Sequence, residues 1–188
     1  MKKSDLVHRI HEVFSTQTPP AATQIVDSGC DEAAGIRLML SGKLWTELAH
    51  NELCGENSAL GFLTDQAFRY YLPAYMILLL HDLRAADLLS SSVIRHLTLP
   101  VEGDTLLLMN SLGQSRYANK NLETLLQDTL RESTTRAGKF ILRMKGFTQP
   151  QGETINEFLR FLTEHHSDYY DEREPEIARL RYWLQFGA

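Results

Sequence analysis

Long hydrophobic runs are missing from this chain. Its most apolar stretch, Tyr70–Leu80, is bounded by Arg69 on one side and by His81-Asp82 on the other. That is well short of the ~20 residues a helix needs to cross a bilayer, so no membrane association is expected. Cysteine is scarce. Cys30 and Cys54 stand in no CxxC or zinc-like spacing, and they are expected as free thiols rather than a disulfide framework. A basic excess is missing too: the net charge is −5. A protein that grips a phosphate backbone carries the opposite sign, so no nucleic acid is expected as a partner. Met1-Lys2-Lys3 is followed by Asp5, His8, Arg9, His11 and Glu12 rather than an apolar core, so no secretory signal is expected and the cytoplasm is the expected location. The chain contains no P-loop, GxGxxG or GxSxG, so no cofactor is expected from motif and no catalytic residue is assigned.

What is present reads as helix. The chain has 188 residues, 43% of them apolar and 23% charged, enough to bury a core without metal or disulfide staples. Leu6, Val7, Ile10, Val13 and Phe14 recur at helical spacing behind Ser4, a candidate cap, and Thr18-Pro19-Pro20 ends the run. Residues 31–53 read as one or two short helices broken at Ser41-Gly42. The strongest feature opens at Thr64-Asp65. Phe68, Tyr71, Leu72, Tyr75, Met76, Leu79, Leu80 and Leu83 hold one face, which predicts a central buried helix over 65–89, kinked or divided at Pro73. Residues 105–109 fit either helix or strand. Residues 119–132 read as helix, and Phe140-Ile141-Leu142 as a short buried strand or a helix end. Thr148-Gln149-Pro150-Gln151 has the form of a capping box before Ile155, Phe158, Leu159 and Leu162. A last helix starts near Glu174-Pro175, with Ile177, Leu180, Trp183 and Leu184 as its core face. The fold class is therefore mainly α. We expect a single compact helical domain, 1–188, around the central helix, with at most a small β element. Its N-terminal helix and linker occupy 1–27 and its main body 28–188.

Three motifs carry a family resemblance. They are Gly42-Lys43-Leu44-Trp45 with Leu48; Phe62-Leu63-Thr64 followed by Ala67-Phe68-Arg69-Tyr70-Tyr71-Leu72-Pro73-Ala74; and Phe147-Thr148 with Gln151, Phe158-Leu159 and Tyr182-Trp183. In this order and spacing the chain resembles a bacterial family of unassigned function, a domain of unknown function. The resemblance implies a fold neighbourhood and no activity.

Candidate functional residues fall into four groups. His50 and His81-Asp82 are similar in order to the HD phosphohydrolases, in which two histidines and two aspartates hold a metal that activates water; the competing reading places His81 and Asp82 at the polar end of a core helix. His8, His11 and Glu12 match neither HExxH nor HxxEH and read as a solvated helix face. Arg69 and Tyr70, beside the most apolar run, are either a ligand-binding pair or structural, since an arginine there must find a partner or reach water. Asp168, Tyr169, Tyr170, Asp171 and Glu172 form an acidic, tyrosine-bearing segment suited to a basic protein partner. Charge is also segregated. Basic residues dominate 114–145, whereas acids far outnumber Arg160 and Arg173 over 146–177. The leading expectation is a non-catalytic interaction protein, immunity-like or adaptor-like; the alternative is a metal-dependent, HD-like phosphohydrolase.

Overall fold

The structure is a computed structural model that describes residues 1–27, 29–104, 107, 122–170 and 173–187, with only the backbone at 122, 123, 125 and 126. Two compact units are distinguished: Met1–Thr98 with Gly146–Ala188, and Leu99–Lys145.

The first unit is built from α1 (Lys3–Phe14), α2 (Asp31–Leu40), α3 (His50–Cys54), α4 (Ala59–Phe62), α5 (Asp65–His81), α6 (Leu83–Leu97), α8 (Gln149–His165) and α9 (Glu174–Arg181), with short 3-10 turns at Ala22–Gln24, Trp45–Glu47 and Trp183–Phe186. The second unit contributes α7 (Leu122–Met144). Among the described residues there is no strand, only an isolated antiparallel bridge between Val26 and Leu63. The mainly helical class with a minimal β element is what the structure shows.

α5 is the hub of the first unit, packed by α1, α6 and the Trp45–Glu47 turn. From Tyr70 to Leu80 every side chain but Ile77 is buried, as an all-round apolar helix requires. Thr64 caps it by accepting from the Ala67 N–H at 3.1 Å. Pro73 sits inside without dividing it; the lost N–H removes one helical hydrogen bond, and burial of the surrounding side chains outweighs that loss. Trp45, Phe68, Leu72, Tyr75, Met76, Leu79, Phe158, Leu162 and Trp183 are all buried.

Three expectations are corrected. The central helix does not run to 89. Asp82 leaves helical geometry (φ −146°, ψ 75°), and its carboxylate accepts from the Ala85 N–H at 3.0 Å, capping α6. The apolar spacing hides this break because Leu83 continues the stripe of Leu79 and Leu80. α1 begins at Lys3, and the Ser4 hydroxyl bonds to Asp5 rather than capping the helix. Of the two readings for 140–142 the helix end holds: they lie in the last turns of α7, which ends at Met144, with Phe140 buried and Ile141 and Leu142 exposed. α9 ends at Arg181, and Tyr182 (φ −145°, ψ −49°) shifts the phase, so Trp183 turns inward while Leu180 and Leu184 lie 55% and 46% exposed. The stretch 105–109 lies outside the described residues apart from Leu107.

Candidate functional site

Tyr70 and Tyr71 follow each other on α5 and serve the turn that precedes Trp45. The Tyr71 hydroxyl donates to the Leu40 carbonyl at 2.9 Å and reaches the Lys43 carbonyl at 3.3 Å. Tyr70 is hydrogen-bonded to the Trp45 backbone. Burial pushes both phenols up, Tyr71 to about 12. Gly42 turns the chain at φ 74°, a conformation open to glycine at little cost. Lys43 then pairs with Glu52 at 2.5 Å, and this contact together with the Ala49 N–H holds the Glu52 carboxyl below its usual value. Arg69, half-buried, lays its guanidinium against Gly146, where a Cβ would collide with it. These contacts tie α5 to the turn at Gly42 and to Gly146.

The acidic segment divides. Asp168 is exposed. Tyr169 is half-buried, and its hydroxyl stands 3.4 Å from the Asp87 carbonyl and 3.5 Å from the Ser90 hydroxyl. Tyr170 is buried, its phenol pushed up by desolvation, so it supports the segment from inside and offers no side chain to a partner. Asp171 and Glu172 lie outside the described residues.

His50 and His81 do come together, their rings 5.9 Å apart between centroids. His81 is exposed, and partial desolvation, the Lys3 charge and His50 hold it below its ordinary value. Asp82 is engaged as the α6 cap. Among the described residues no group of three or more His, Cys, Asp or Glu is placed to hold a metal ion. Lys3 near His81 also adds a positive charge that disfavours a cation.

The feature that sequence reading missed lies between α1 and α8, which pack along their length. A groove of about 370 Å³ is lined by Asp5, His8, Arg9 and Glu12 of α1, by Glu153, Thr154, Asn156 and Glu157 of α8, and by Met1, Phe186 and Gly187. Arg9 stands 3.5 Å from Glu12 and 3.8 Å from Glu153, leaving the carboxylates in excess. His8 and Glu12, read as a solvated face, line this groove, while the His11 ring lies 5.1 Å from that of Trp45. On α8 the charges continue as a stripe: Glu153, Glu157, Arg160 and Glu164 follow at steps of four, three and four residues, one face of a helix. Arg160 pairs with Glu157 and stands 3.9 Å from Glu164. That spacing was available in the sequence; its pairing with α1 was not.

The groove holds no activated nucleophile. Its lining includes no cysteine, serine, lysine or tyrosine, and the Thr154 hydroxyl donates to the Pro150 carbonyl at 2.8 Å. Among its lining residues Asp5, Glu12, Glu153 and Glu157 outnumber Arg9. Phe186 provides its apolar floor because α8 carries Gly152 where any side chain would strike that ring.

A family model described as a family of unknown function (DUF6714) matches residues 2–186. No curated protein and no solved structure matches the chain.

Proposed function

The chain belongs to this family of unknown function, and from that premise we propose that it is a non-catalytic interaction protein that binds a basic protein partner through the acidic face of α1 and α8. The observation that carries the reading is the groove: Asp5, Glu12, Glu153 and Glu157 against Arg9, over an apolar floor, with Glu164 continuing the α8 stripe and Asp168 exposed beyond the end of that helix. Such a field steers an oppositely charged partner and raises its on-rate, and salt weakens it. An immunity-like or adaptor role in a bacterial cytoplasm fits this chemistry.

The test is capture from the native host at low and high salt with three proteins: wild type, Glu153→Gln/Glu157→Gln, and Asp168→Ser/Asp171→Ser/Glu172→Ser. The expected outcome is a reproducible basic partner, lost at high salt and lost with either set of changes. Retention by all variants, or hydrolysis of a phosphoester with no partner, overturns the reading.

A second reading, the metal-dependent HD-like phosphohydrolase on His50, His81 and Asp82, is favoured by the approach of the two rings. It requires p-nitrophenyl phosphate hydrolysis with Mn²⁺ or Zn²⁺ that disappears in His50→Ala and His81→Ala. Activity that survives those changes removes it.

A further inference from the structure

We infer that a latch joins the acidic segment to α6: the Tyr169 hydroxyl holds a strained hinge at Asp87, and drawing Tyr169 away lets α6 rearrange. The latch stands on the fold alone. That a partner seated at Asp168 trips it rests on the binding reading above.

The hinge divides α6. Asp87, with φ 35° and ψ −119°, interrupts an otherwise helical run. Glycine takes such angles readily and aspartate does not. One turn, residues 83–86, stands before the bend and is capped by the Asp82 carboxylate. The rest of α6 follows, with Leu89, Ser90, Val93 and Ile94 buried. A bend that its own backbone disfavours persists only where neighbours hold it.

Two hydroxyls do so. Ser90, fully buried, donates to the Asp87 carbonyl at 2.7 Å, and this contact travels with α6. The Tyr169 hydroxyl comes from far along the chain. It stands 3.4 Å from the same oxygen and 3.5 Å from the Ser90 hydroxyl. Tyr169 directly follows exposed Asp168, so the segment proposed to meet a partner carries the holding group.

The held state is poorly satisfied around the latch. Tyr170 is 5% exposed, and its hydroxyl lacks a hydrogen-bond partner. The Ser90 hydroxyl that approaches it donates to Asp87 instead. Glu174 Oε2, which acts on Tyr170 electrostatically, is also buried without a partner. Arg173 and Asp87 are the two non-glycine residues at positive φ among the described residues. Release relieves the strain at Asp87 and lets the Tyr170 hydroxyl reach water, so the holding contacts work against a standing cost. That opposition gives the junction two arrangements rather than one.

The experiment measures hydrogen exchange in the free full-length protein for wild type, Tyr169→Phe, Asp87→Gly and the two changes together. Tyr169→Phe keeps the ring and removes only the hydroxyl. It is expected to speed exchange of the backbone amides of 88–94 about threefold or more, the scale of one lost hydrogen bond, while the amides of 70–80 in α5 keep their rates. With Asp87→Gly in place the bend needs no holding, and Tyr169→Phe is expected to have less than half that effect. A hydrogen bond that holds no strain acts equally in both backgrounds. The inference is overturned if Tyr169→Phe changes 88–94 by less than about threefold, if half or more of its effect remains with Asp87→Gly, or if α5 accelerates as much as α6. Since no partner is present, failure here leaves the binding reading standing. Failed partner capture, conversely, removes only the trigger and leaves the latch.

Discussion

At the scale of single residues, the most informative position is Gly152. It lies on the buried side of α8, and a methyl placed there would enter the ring of Phe186 at Cδ1, Cγ and Cε1. Two effects compete in Gly152→Ala. Alanine favours the helix by ~1 kcal/mol over glycine, whereas overpacking costs ~1–3 kcal/mol. Phe186 is only half-buried on a short 3-10 turn, so its ring can swing away and the cost stays near the lower end. Gly152→Ala is therefore expected to change stability by less than ~1 kcal/mol in urea unfolding, within these ranges. A strongly destabilised variant contradicts this account of the floor. Gly146 plays the corresponding role for the Arg69 guanidinium: there, too, a missing side chain makes room for another residue.

At the scale of elements, α6 contains the clearest local conflict. Asp87 has φ 35° and ψ −119° inside an otherwise helical run, a region that L side chains occupy at a cost of ~1–3 kcal/mol. The neighbouring contacts hold it. Ser90 donates to the Asp87 carbonyl at 2.7 Å, and the Tyr169 hydroxyl approaches the same oxygen. These contacts use the backbone of Asp87, and its own side chain is exposed. Asp87→Gly is therefore expected to raise the thermal midpoint, with a gain of ~1 kcal/mol as the strain is relieved, and Asp87→Val to lower it. A fall in stability on placing glycine there would show that the carboxylate, not the backbone, holds the bend. α8 presents the opposite case. Thr148 and Gln151 bond reciprocally, the Thr148 N–H to Gln151 Oε1 at 3.0 Å and the Gln151 N–H to the Thr148 hydroxyl at 3.4 Å, so local sequence and observed structure agree throughout its first turn.

At the scale of the whole molecule, desolvated tyrosines and partly desolvated histidines set a pH window. Burial raises Tyr71 to about 12 and pushes Tyr75 and Tyr170 upward as well. In the unfolded chain a tyrosine ionises near 10. Their contribution is therefore fully present below pH ~10 and is lost as pH rises toward the folded values. His166, half-buried, and His81, exposed, are both held below 6.5, first by partial desolvation, with Lys3 and His50 adding at His81 and His165 at His166. The unfolded chain takes up protons first on the acid side, so stability falls as pH drops below 6.5. Urea midpoints from pH 5 to 11 are expected to form a plateau between about 6.5 and 10 with a decline on either side. His81→Asn/His166→Asn is expected to flatten the limb between pH 6.5 and 5.5. A midpoint that rises as pH falls from 7 to 5.5 contradicts the sign.

What the sequence by itself determined was whatever depends on near neighbours in the chain. Apolar spacing in Phe68–Leu80 marked a buried helix, Thr148 and Gln151 marked a helix start, and Gly42 marked a turn, because propensity, capping and periodicity act over one or two turns. The same locality explains the failures. Leu83 kept the apolar stripe in phase across Asp82, so the break was invisible without backbone angles, and Tyr182 shifted the phase that would have turned Leu180 and Leu184 inward. Tyr170 read as surface because its neighbours are acidic, yet its own ring is buried. Only the tertiary structure decided which helix faces meet. His50 and His81 lie far apart in sequence and close in space, and the groove exists because α1 and α8, more than a hundred residues apart, pack with their carboxylates on one side. Periodicity can assign a charge to a helix face, but whether that face meets water or another helix depends on long-range packing, which no local spacing encodes.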